Sequence, residues 1–393
     1  MHIAQVTLRY APALGGVEYH VGNLADELNK LGHRITIYTS YFVDNIQEDT
    51  SLSQFEKNQN VTVKRYRLLK LMHGRDSTYI QPRIFADLLK EKPDIIHVHG
   101  FRFFPVYGGI MFTYFSRIPV IATLHHDPQL NVTVLQRLHD RIFLSRLDRL
   151  AKIIALTEFE RRFLTNMIRK EKITVIPNGV SNTFIEMCER FSNIREQIRT
   201  NLEVLHKFVI ISIGRVVPSK NIEIVLEAMS VLPSSLKDIM ILIICGPTND
   251  NYKTKLLRLA SDLKLQQSVI FSGQVSEEEK AMLLCAADLF VFPTRTEGYG
   301  IVILEALAAG LPVLASNIDT IGSFMNQINQ STAAYLLDPK NHNEWATHIR
   351  LVYDDRETRD KARQLRKPIN VFRWDALAKE TLSIYEMVKK PIA

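Results

Sequence analysis

The sequence contains only three cysteines in 393 residues. Three widely spaced cysteines exclude a disulfide framework and a zinc ribbon, and they are typical of a reducing compartment. No stretch reaches the roughly 18 to 20 apolar residues that a membrane-spanning helix needs. The first residues enter a strand pattern directly, without the basic and apolar segments of a signal peptide. We therefore expect a cytoplasmic protein.

Several ligand-binding motifs are also missing. The sequence has neither the three-glycine fingerprint of dinucleotide binding nor a Walker loop with its lysine. It has no Asp-x-Asp motif of the sort that holds a divalent ion against a diphosphate. These absences lead us to expect no cofactor and no required metal.

The net charge of +7 is unevenly placed along the chain. Residues 1–182 hold 24 Lys and Arg against 17 Asp and Glu, so the whole excess lies in this half. Such asymmetry indicates an anionic partner, either nucleic acid or an anionic membrane surface. Because no recognised nucleic-acid module or platform of basic and aromatic side chains accompanies the charge, we expect no nucleic-acid partner.

Short apolar runs rich in β-branched residues alternate with helical patterns along the whole chain. Near-continuous apolar strands separated by helices are typical of parallel sheets covered on both faces. Two successive sets of this kind predict an α/β protein with two doubly wound, Rossmann-like domains. The predicted strands are Ile3–Leu8, Ile35–Thr39, Ile95–His99, Val120–Leu124, Ile153–Leu156, Thr174–Ile176, Val209–Ile213, Met240–Cys245, Val269–Phe271, Leu289–Phe292 and Val313–Ala315.

The turn signal Pro177-Asn178-Gly179 indicates where the two sets divide. We expect an N-terminal domain over 1–182, a C-terminal domain over 183–370 and a closing amphipathic helix within 371–393. In doubly wound sheets, ligands bind beyond the carboxyl ends of the strands. The chemistry is therefore expected just after strands, in the cleft between the domains.

A glycine pair, Gly15-Gly16, lies between the first strand and a helix. Paired glycines at a helix N-terminus let backbone N–H groups approach an anion. The alternative is a tight turn between strand and helix with no ligand.

A second loop follows the strand that ends at Ile213. It carries Arg215 and Lys220, two cations five residues apart before a helix. Arginine offers a planar fork and lysine a point charge, so the pair can converge on a diphosphate. Two solvated surface charges are the alternative.

A third loop follows the strand Leu289–Phe292. It contains Glu297-Gly298-Tyr299-Gly300, and a second carboxylate, Glu305, lies about two helical turns further on. The glycine turn can present backbone amides to an anion, and the carboxylates can accept hydrogen bonds from sugar and ribose hydroxyls. The spacing alone means little, since Glu48 and Glu56 repeat it in a polar loop. The setting after a strand is the specific signal.

Histidines occur at the ends of two predicted strands. His97 and His99 end one strand, and His125-His126-Asp127 follow another. Such groups can bind a metal, or they can be capped or buried imidazoles. No third and fourth ligand with suitable spacing is visible, so we expect no metal site.

Taken together, these segments resemble the retaining glycosyltransferase family 4, also called glycosyl transferases group 1, whose fold is GT-B. The similarity follows the family's order and spans nearly the whole chain. The matching blocks are Gly15–Glu18, Asp94–His99, Thr123–His125, Pro177–Val180, Gly214–Lys220, Phe271–Val275, Glu297–Ala306 and Ala309–Val313.

The resemblance implies a hexosyltransferase that needs no metal and uses a UDP-sugar or GDP-sugar. It implies that His125 and Glu297 act on the transferred hexose. The expected acceptor is a glycan or a lipid-linked acceptor, and the closing helix would cross back onto the first domain. The implied donor-binding residues are Gly16, Arg215, Lys220, Val275, Gly298, Tyr299, Gly300 and Glu305.

Within this resemblance, Gly16 would approach the donor phosphate or the acceptor. Arg215 and Lys220 would bind the diphosphate, Val275 the base through its backbone, and Glu305 the ribose. Two departures leave the base and the sugar open. The turn after Cys245 has fewer glycines than the family's, and the segment 316–323 lacks a glutamate that the family often places there.

The basic first half is expected to hold the acceptor. Two segments, Lys64–Arg75 and Gln136–Lys152, mix cations with large apolar residues. One hypothesis is that they dock on the inner face of an anionic membrane. The alternative is an ordinary amphipathic helix with a solvated basic face. Two further functions also stay open, a GT-B sugar-nucleotide epimerase or phosphorylase and a non-catalytic nucleotide-sugar-binding subunit.

Overall fold

The computed structural model describes residues 1–43, 48–70, 79–101, 103–125, 143, 145–166, 168–325, 328, 334–355, 357, 359 and 372–389. The chain divides into two compact units. The first unit comprises Met1–Gly179 and Trp374–Ala393, and the second comprises Val180–Arg373. Each unit contains its own parallel sheet.

The first unit is built on an eight-stranded sheet in the order β10-β9-β8-β7-β1-β2-β4-β3. All neighbours pair in parallel except the edge strand β3, which is antiparallel to β4. The strands β5 and β6 form a separate antiparallel pair. The strands are β1 (His2–Val6), β2 (Arg34–Ser40), β3 (Phe55–Asn58), β4 (Val61–Tyr66), β5 (Leu69–Lys70), β6 (Tyr79–Ile80), β7 (Ile95–His99), β8 (Val120–Thr123), β9 (Lys152–Ala155) and β10 (Ile173–Val175).

Helices cover both faces of this sheet, as expected for strands that are apolar throughout. One apolar cluster contains Ile96 and Val106, and the other contains Ile3 and Leu24. Short 3-10 turns lie at Leu147–Arg149 and Lys170–Lys172. The helices that precede the second unit are α1 (Gly16–Lys30), α2 (Pro82–Glu91), α3 (Phe104–Phe112) and α4 (Glu158–Thr165).

The second unit is built on six parallel strands in the order β13-β12-β11-β14-β15-β16. In both units, successive strands are added first on one side of the unit's first strand and then on the other. The change of side lies between β1 and β7 in the first unit and between β11 and β14 in the second. Loops diverge at such points and leave a crevice at the carboxyl ends of the strands. The strands are β11 (Phe208–Ile213), β12 (Met240–Cys245), β13 (Val269–Gly273), β14 (Leu289–Phe292), β15 (Val313–Ser316) and β16 (Ala334–Leu337).

Several helices of the second unit begin at a side-chain cap. Ser276, for example, forms a capping box with Glu279, which satisfies backbone N–H groups at the start of a helix. A 3-10 turn spans Pro218–Lys220. The helices are α5 (Asn182–Asn193), α6 (Arg195–Asn201), α7 (Glu223–Ser230), α8 (Ser234–Lys237), α9 (Asp250–Asp262), α10 (Glu277–Ala286), α11 (Ile301–Ala308), α12 (Asp319–Met325) and α13 (His342–Asp354).

The closing helix, α14 (Trp374–Lys389), belongs to the first unit. Its buried residues recur at helical spacing, with Trp374, Leu377 and Tyr385 in the cluster that also contains Leu24 of α1. No helix in the described ranges combines the length and the apolar character needed to cross a membrane.

The structure corrects part of the proposed basic docking surface. Arg65 lies in β4 and is only 2% exposed, because it donates to Glu56 Oε1 at 2.5 Å and to the Ala11 carbonyl at 2.7 Å. Lys64 pairs with Glu91. These two cations are therefore internal ion-pair partners. Residues 71–75, 136–142 and 144 lie outside the described residues. Of the remaining arginines of the two segments, Arg67, Arg146 and Arg149 are exposed.

Candidate active site

Histidines of the first unit lie together at the carboxyl ends of β7 and β8. His97 and His99 belong to β7, and His125 follows β8 by two residues. His20 lies in α1, with its ring centroid 5.3 Å from that of His99 and 4.8 Å from that of His125. The structure thus adds His20, which the sequence did not indicate, to the three histidines that it did.

Two carboxamides determine which ring nitrogens carry a proton. Asn178 Oδ1 lies 2.7 Å from His20 Nδ1, and Gln5 Oε1 lies 2.5 Å from His99 Nε2. Because carboxamide oxygens only accept, both nitrogens donate, and His20 Nε2 and His99 Nδ1 keep their lone pairs. His125 Nε2 lies 3.3 Å from His99 Nδ1 and donates to it. His125 is therefore held as the tautomer that accepts on Nδ1.

Burial keeps this cluster uncharged. It lowers the pKa of His20 to about 4, and it lowers the pKa values of His97, His99 and His125 well below 6.5. At neutral pH the cluster offers hydrogen bonds without a net charge. Such a site suits neutral hydroxyl groups better than a phosphate.

His125 also has an unusual backbone conformation. Its φ is +53°, in the left-handed region that non-glycine residues rarely adopt. Conformations of this kind persist where the surrounding structure holds them, and they concentrate at functional sites. The strained position directs the imidazole toward His20 and His99.

The same three histidines meet one geometric requirement of a metal site. His20, His99 and His125 each offer a nitrogen, and these atoms lie within 4.8 Å of one another. A closed zinc site takes four ligands, and no fourth His, Cys, Asp or Glu joins the group among the described residues. The expectation that no metal is required stays a prediction, which a chelator can test.

Gly16 is the first residue of α1, directly after the loop that follows β1. Within this first turn Glu18 is buried, and its Oε1 accepts from Arg9 Nε at 2.9 Å. The start of α1 therefore already has a carboxylate and its counter-ion beside it.

In the second unit, two predicted loops are joined through their backbones. The loop after β11 carries Arg215 and Lys220, and the loop after the neighbouring strand β14 carries Glu297. The Ser219 carbonyl accepts from Arg295 N at 2.8 Å and from Thr294 Oγ1 at 3.2 Å. The pairing of the two strands and these bonds bring together residues that are about 80 positions apart.

Lys220 and Glu297 form an ion pair across these loops. Lys220 Nζ donates to Glu297 Oε2 at 2.5 Å and lies 4.8 Å from the centre of the Phe292 ring. The other oxygen of Glu297 accepts from the Gly298 N–H at 3.1 Å. Arg215 is exposed and lines a small recess together with Lys220. The structure therefore places both predicted cations at one site.

The glycine turn before α11 is tightly packed. Gly300 caps the helix with φ +89°, and a Cβ there would lie 3.1 Å from Ile321 Cδ1. The Tyr299 ring is buried, with its centroid 4.6 Å from that of Phe324. This packing fixes the backbone between Glu297 and α11.

Close glycine packing also shapes the neighbouring turns. Gly246 follows β12 with φ +136°, and a Cβ there would lie 2.0 Å from the Gly214 carbonyl oxygen. The Gly246 N–H donates to the Gly273 carbonyl at 2.7 Å. Val275 lies two residues beyond Gly273, half-buried, before the cap of α10.

Glu305 lies in α11 and is only 1% exposed. Its Oε1 accepts from Lys280 Nζ at 2.7 Å, while its Oε2 is buried and has no hydrogen-bond partner among the described residues. Burial raises the pKa of Glu305, and Lys280 opposes that shift. The sequence indicated Glu305 but not Lys280, because a lysine in an acidic helix start is an ordinary surface pattern.

Comparisons with known proteins agree with this architecture. The family model described as Glycosyltransferase Family 4 matches residues 14–184, and that described as Glycosyl transferases group 1 matches residues 193–367. An uncharacterized glycosyltransferase of Methanocaldococcus jannaschii is 25% identical over 98% of both chains. The alpha-monoglucosyldiacylglycerol synthase of Streptococcus pneumoniae is 26% identical over 80% of this chain and 71% of its own.

Solved structures share the fold. Anabaena HepE in complex with UDP superposes with a TM-score of 0.78 at 19% identity, over 98% of this chain and 100% of that one. WaaG, a glycosyltransferase involved in lipopolysaccharide biosynthesis, superposes with a TM-score of 0.71 at 16% identity, over 99% and 100% of the two chains.

Two doubly wound α/β units with polar sites at the carboxyl ends of their strands define the GT-B class of glycosyltransferases. The chain belongs to glycosyltransferase family 4. It is a hexosyltransferase of a retaining family and takes its sugar from a nucleotide sugar. These findings confirm the family, the fold class and the enzyme class that the sequence indicated.

Proposed function

We propose that the protein transfers a hexose from a UDP-sugar or GDP-sugar to a glycan or lipid-linked acceptor, without a metal ion. This reaction would serve polysaccharide, glycolipid or glycoprotein-glycan assembly. The observation that carries the proposal is the Lys220–Glu297 pair beside Arg215, at the carboxyl ends of β11 and β14. It offers two cations for a diphosphate and a carboxylate for a sugar.

The leaving diphosphate is bound by Arg215 and Lys220, with backbone N–H groups of Gly298, Tyr299 and Gly300. Breaking the anomeric C–O bond places negative charge on the diphosphate. Cations and amides that are already positioned stabilise this charge without reorganisation. Gly16, at the start of α1, approaches the donor phosphate or the acceptor.

The hexose is held by Glu297 and His125. In the ligand-free chain Glu297 accepts from Lys220, and an arriving phosphate gives Lys220 another anion. The Glu297 carboxylate can then accept hydrogen bonds from hexose hydroxyls. His125 contacts the transferred sugar as a neutral imidazole. For retention, the acceptor attacks the face that the leaving group departs from, and the phosphate oxygen takes its proton.

The nucleoside is held by Val275 and Glu305. The backbone of Val275 pairs with the base, and the Glu305 carboxylate accepts from the ribose hydroxyls. UDP-glucose is the first donor to test, because structures of Anabaena HepE contain UDP, UDP with glucose, and UDP-glucose.

For a lipid-linked acceptor, the first unit is proposed to make peripheral contact with the inner face of an anionic membrane. Two relatives are named for lipid synthesis, alpha-monoglucosyldiacylglycerol synthase and phosphatidylinositol N-acetylglucosaminyltransferase. The excess positive charge of residues 1–182 favours an anionic surface. Co-sedimentation should be stronger with anionic than with neutral vesicles, and equal binding would refute the membrane contact.

The decisive experiment is a panel of UDP-sugars and GDP-sugars, with nucleoside diphosphate release followed in the presence and absence of EDTA. Release that depends on an added acceptor supports transfer. Interconversion of the nucleotide sugar without release would indicate an epimerase, and tight donor binding without any turnover would indicate a non-catalytic subunit. Failure to bind any donor would refute the proposal.

A further inference from the structure

We propose that Lys280 is a positioning residue of the donor site. It holds one carboxylate oxygen of Glu305 and so reserves the other, Oε2, for the hydroxyl groups of the nucleotide ribose. The inference rests on the proposed function, since it requires that this unit binds a nucleoside diphosphate.

The first step is the geometry of a buried ion triad. Lys280 is 9% exposed and lies in α10, facing Glu305 of α11. Its Nζ donates to Glu305 Oε1 at 2.7 Å and to Glu277 Oε1 at 2.8 Å. The ammonium also lies 5.1 Å from the centre of the Phe184 ring. The lysine is thus held from three sides.

The second step is the unequal use of the two Glu305 oxygens. Oε1 receives the lysine, whereas Oε2 is buried and unpartnered among the described residues. A buried carboxylate oxygen without a donor is costly, and the cost is removed when a ligand hydroxyl donates to it. The ion pair fixes the rotamer, so the unsatisfied oxygen has a defined direction.

The third step is the charge balance. The Glu277 side chain is 55% exposed, so solvent screens its charge, while that of Glu305 is only 2% exposed. Burial by itself lowers the pKa of Lys280, but the two carboxylates outweigh it and raise the pKa. The lysine therefore stays charged at neutral pH and compensates the buried Glu305. With an apolar residue at position 280, the Glu305 carboxylate would either bind a proton or rotate away from its present position.

The structure also supports a simpler alternative, in which Lys280 only stabilises the unit by joining α10 to α11. The two explanations differ in one measurable respect. A positioning role affects ligands that carry ribose hydroxyls, and a purely structural role affects all nucleotides equally.

The test compares the binding of uridine diphosphate with that of 2′,3′-dideoxyuridine diphosphate by calorimetry. The full-length wild type should prefer the ribonucleotide by about tenfold or more, as expected when a buried group loses its hydroxyl partner. Lys280→Met should weaken UDP about tenfold, leave the dideoxy analogue within about twofold, and so remove the preference.

Two variants control the result. Lys255→Met removes a Lys–Glu pair of the same unit, between Lys255 Nζ and Glu223 Oε1 at 2.9 Å, and should keep the preference. Glu277→Gln removes the solvent-exposed partner of Lys280 and should keep or raise the preference for the ribonucleotide. If Lys280→Met does not fold by circular dichroism, Lys280→Gln replaces it, with the same expected direction.

The outcomes separate the two proposals. If the wild type binds neither uridine nor guanosine diphosphate, the proposed function fails and the inference with it. If the wild type prefers the ribonucleotide and a folded Lys280 variant keeps that preference, the inference alone is wrong. The same holds if the variant loses affinity for both nucleotides equally.

Discussion

The polar sites of the two units differ in how they handle charge. In the first unit, burial keeps His20, His99 and His125 neutral. Carboxamides bond to His20 and His99, and His125 bonds to His99. In the second unit, Lys220 with Glu297 and Lys280 with Glu305 are ion pairs. Both sites occupy carboxyl ends of parallel strands, so the fold alone does not explain the difference.

The contrast matches the two halves of the proposed reaction. A nucleotide diphosphate is an anion, and fixed cations stabilise the charge that grows on it during transfer. Hydroxyl groups of a sugar are neutral donors and acceptors, which neutral imidazoles can bind without the desolvation cost of a buried charge. The charged side-chain pairs of the two sites thus lie in the unit assigned to the donor. Variants of each site can break or sharpen this division.

The largest effect is expected for Lys220→Ala. Loss of the cation should lower kcat/KM by about 10³-fold, because charge on the leaving diphosphate is no longer compensated. Affinity for the nucleoside diphosphate should fall as well. Diphosphate release and calorimetry measure the two effects, with Lys255→Ala as the control cation of the same unit. Unchanged kcat/KM would remove Lys220 from the site.

His125→Ala should lower kcat by about 10²-fold while leaving nucleoside diphosphate affinity within about twofold. The reason is that His125 is proposed to contact the transferred sugar and not the nucleotide. The same release assay and calorimetry apply, and His33→Ala in the loop before β2 serves as a control. A large loss of nucleotide affinity in His125→Ala would contradict the proposed division between units.

Glu297→Ala should lower kcat by about 30-fold and weaken nucleoside diphosphate binding by less than about threefold. A carboxylate that binds hexose hydroxyls is lost, while Lys220 is freed for the phosphate. Equal losses in rate and in nucleotide affinity would show that Glu297 acts only by positioning Lys220.

Acidification should destabilise the first unit before the second. Because the pKa of His20 is lowered from 6.5 to about 4, the unfolded chain binds more protons between these values. The stabilisation is fully present above pH 6.5 and is lost as the pH falls toward 4. His20 alone contributes up to about 3 kcal/mol of this pH dependence. Hydrogen exchange resolved by peptide should show the loss around β7 and β8, and His20→Asn should reduce it.

The smallest effect is expected for metal removal. EDTA should change the transfer rate by less than about twofold, since Arg215 and Lys220 compensate the diphosphate charge in place of a divalent ion. If EDTA abolishes activity and Zn²⁺ restores it, the His20, His99 and His125 group binds a required metal. Loss that only Mg²⁺ or Mn²⁺ restores would instead place an ion at the diphosphate.

Much of the fold is predictable because its signals are local. Ile95–His99, Met240–Cys245 and Leu289–Phe292 are apolar runs of strand length, and all three are strands with the predicted bounds. The helical pattern of Trp374–Lys389 likewise matches α14. The compact units divide after Gly179, whereas we expected the first domain to end at residue 182.

The sequence did not predict strands in which apolar residues are mixed with charged ones. β4, Val61–Tyr66, alternates buried and half-buried residues and contains two cations, which were interpreted as part of a surface. Pairing with β2 and the ion pair to Glu56 allow Arg65 to be buried there. Such compensation depends on residues from other elements, so a local pattern does not predict it.

The sequence by itself determined most of the apolar strands along the chain, the glycine turns and the positions of Arg215, Lys220, Glu297 and His125 after strands. Only the tertiary structure decided which side chains contact the polar residues of the two sites. Asn178 lies 158 positions from the His20 that it orients, and Lys280 lies 25 positions from Glu305. Periodicity reports which face of an element is buried, whereas the charge and tautomer of a buried group depend on whichever side chain packing places within about 3 Å of it.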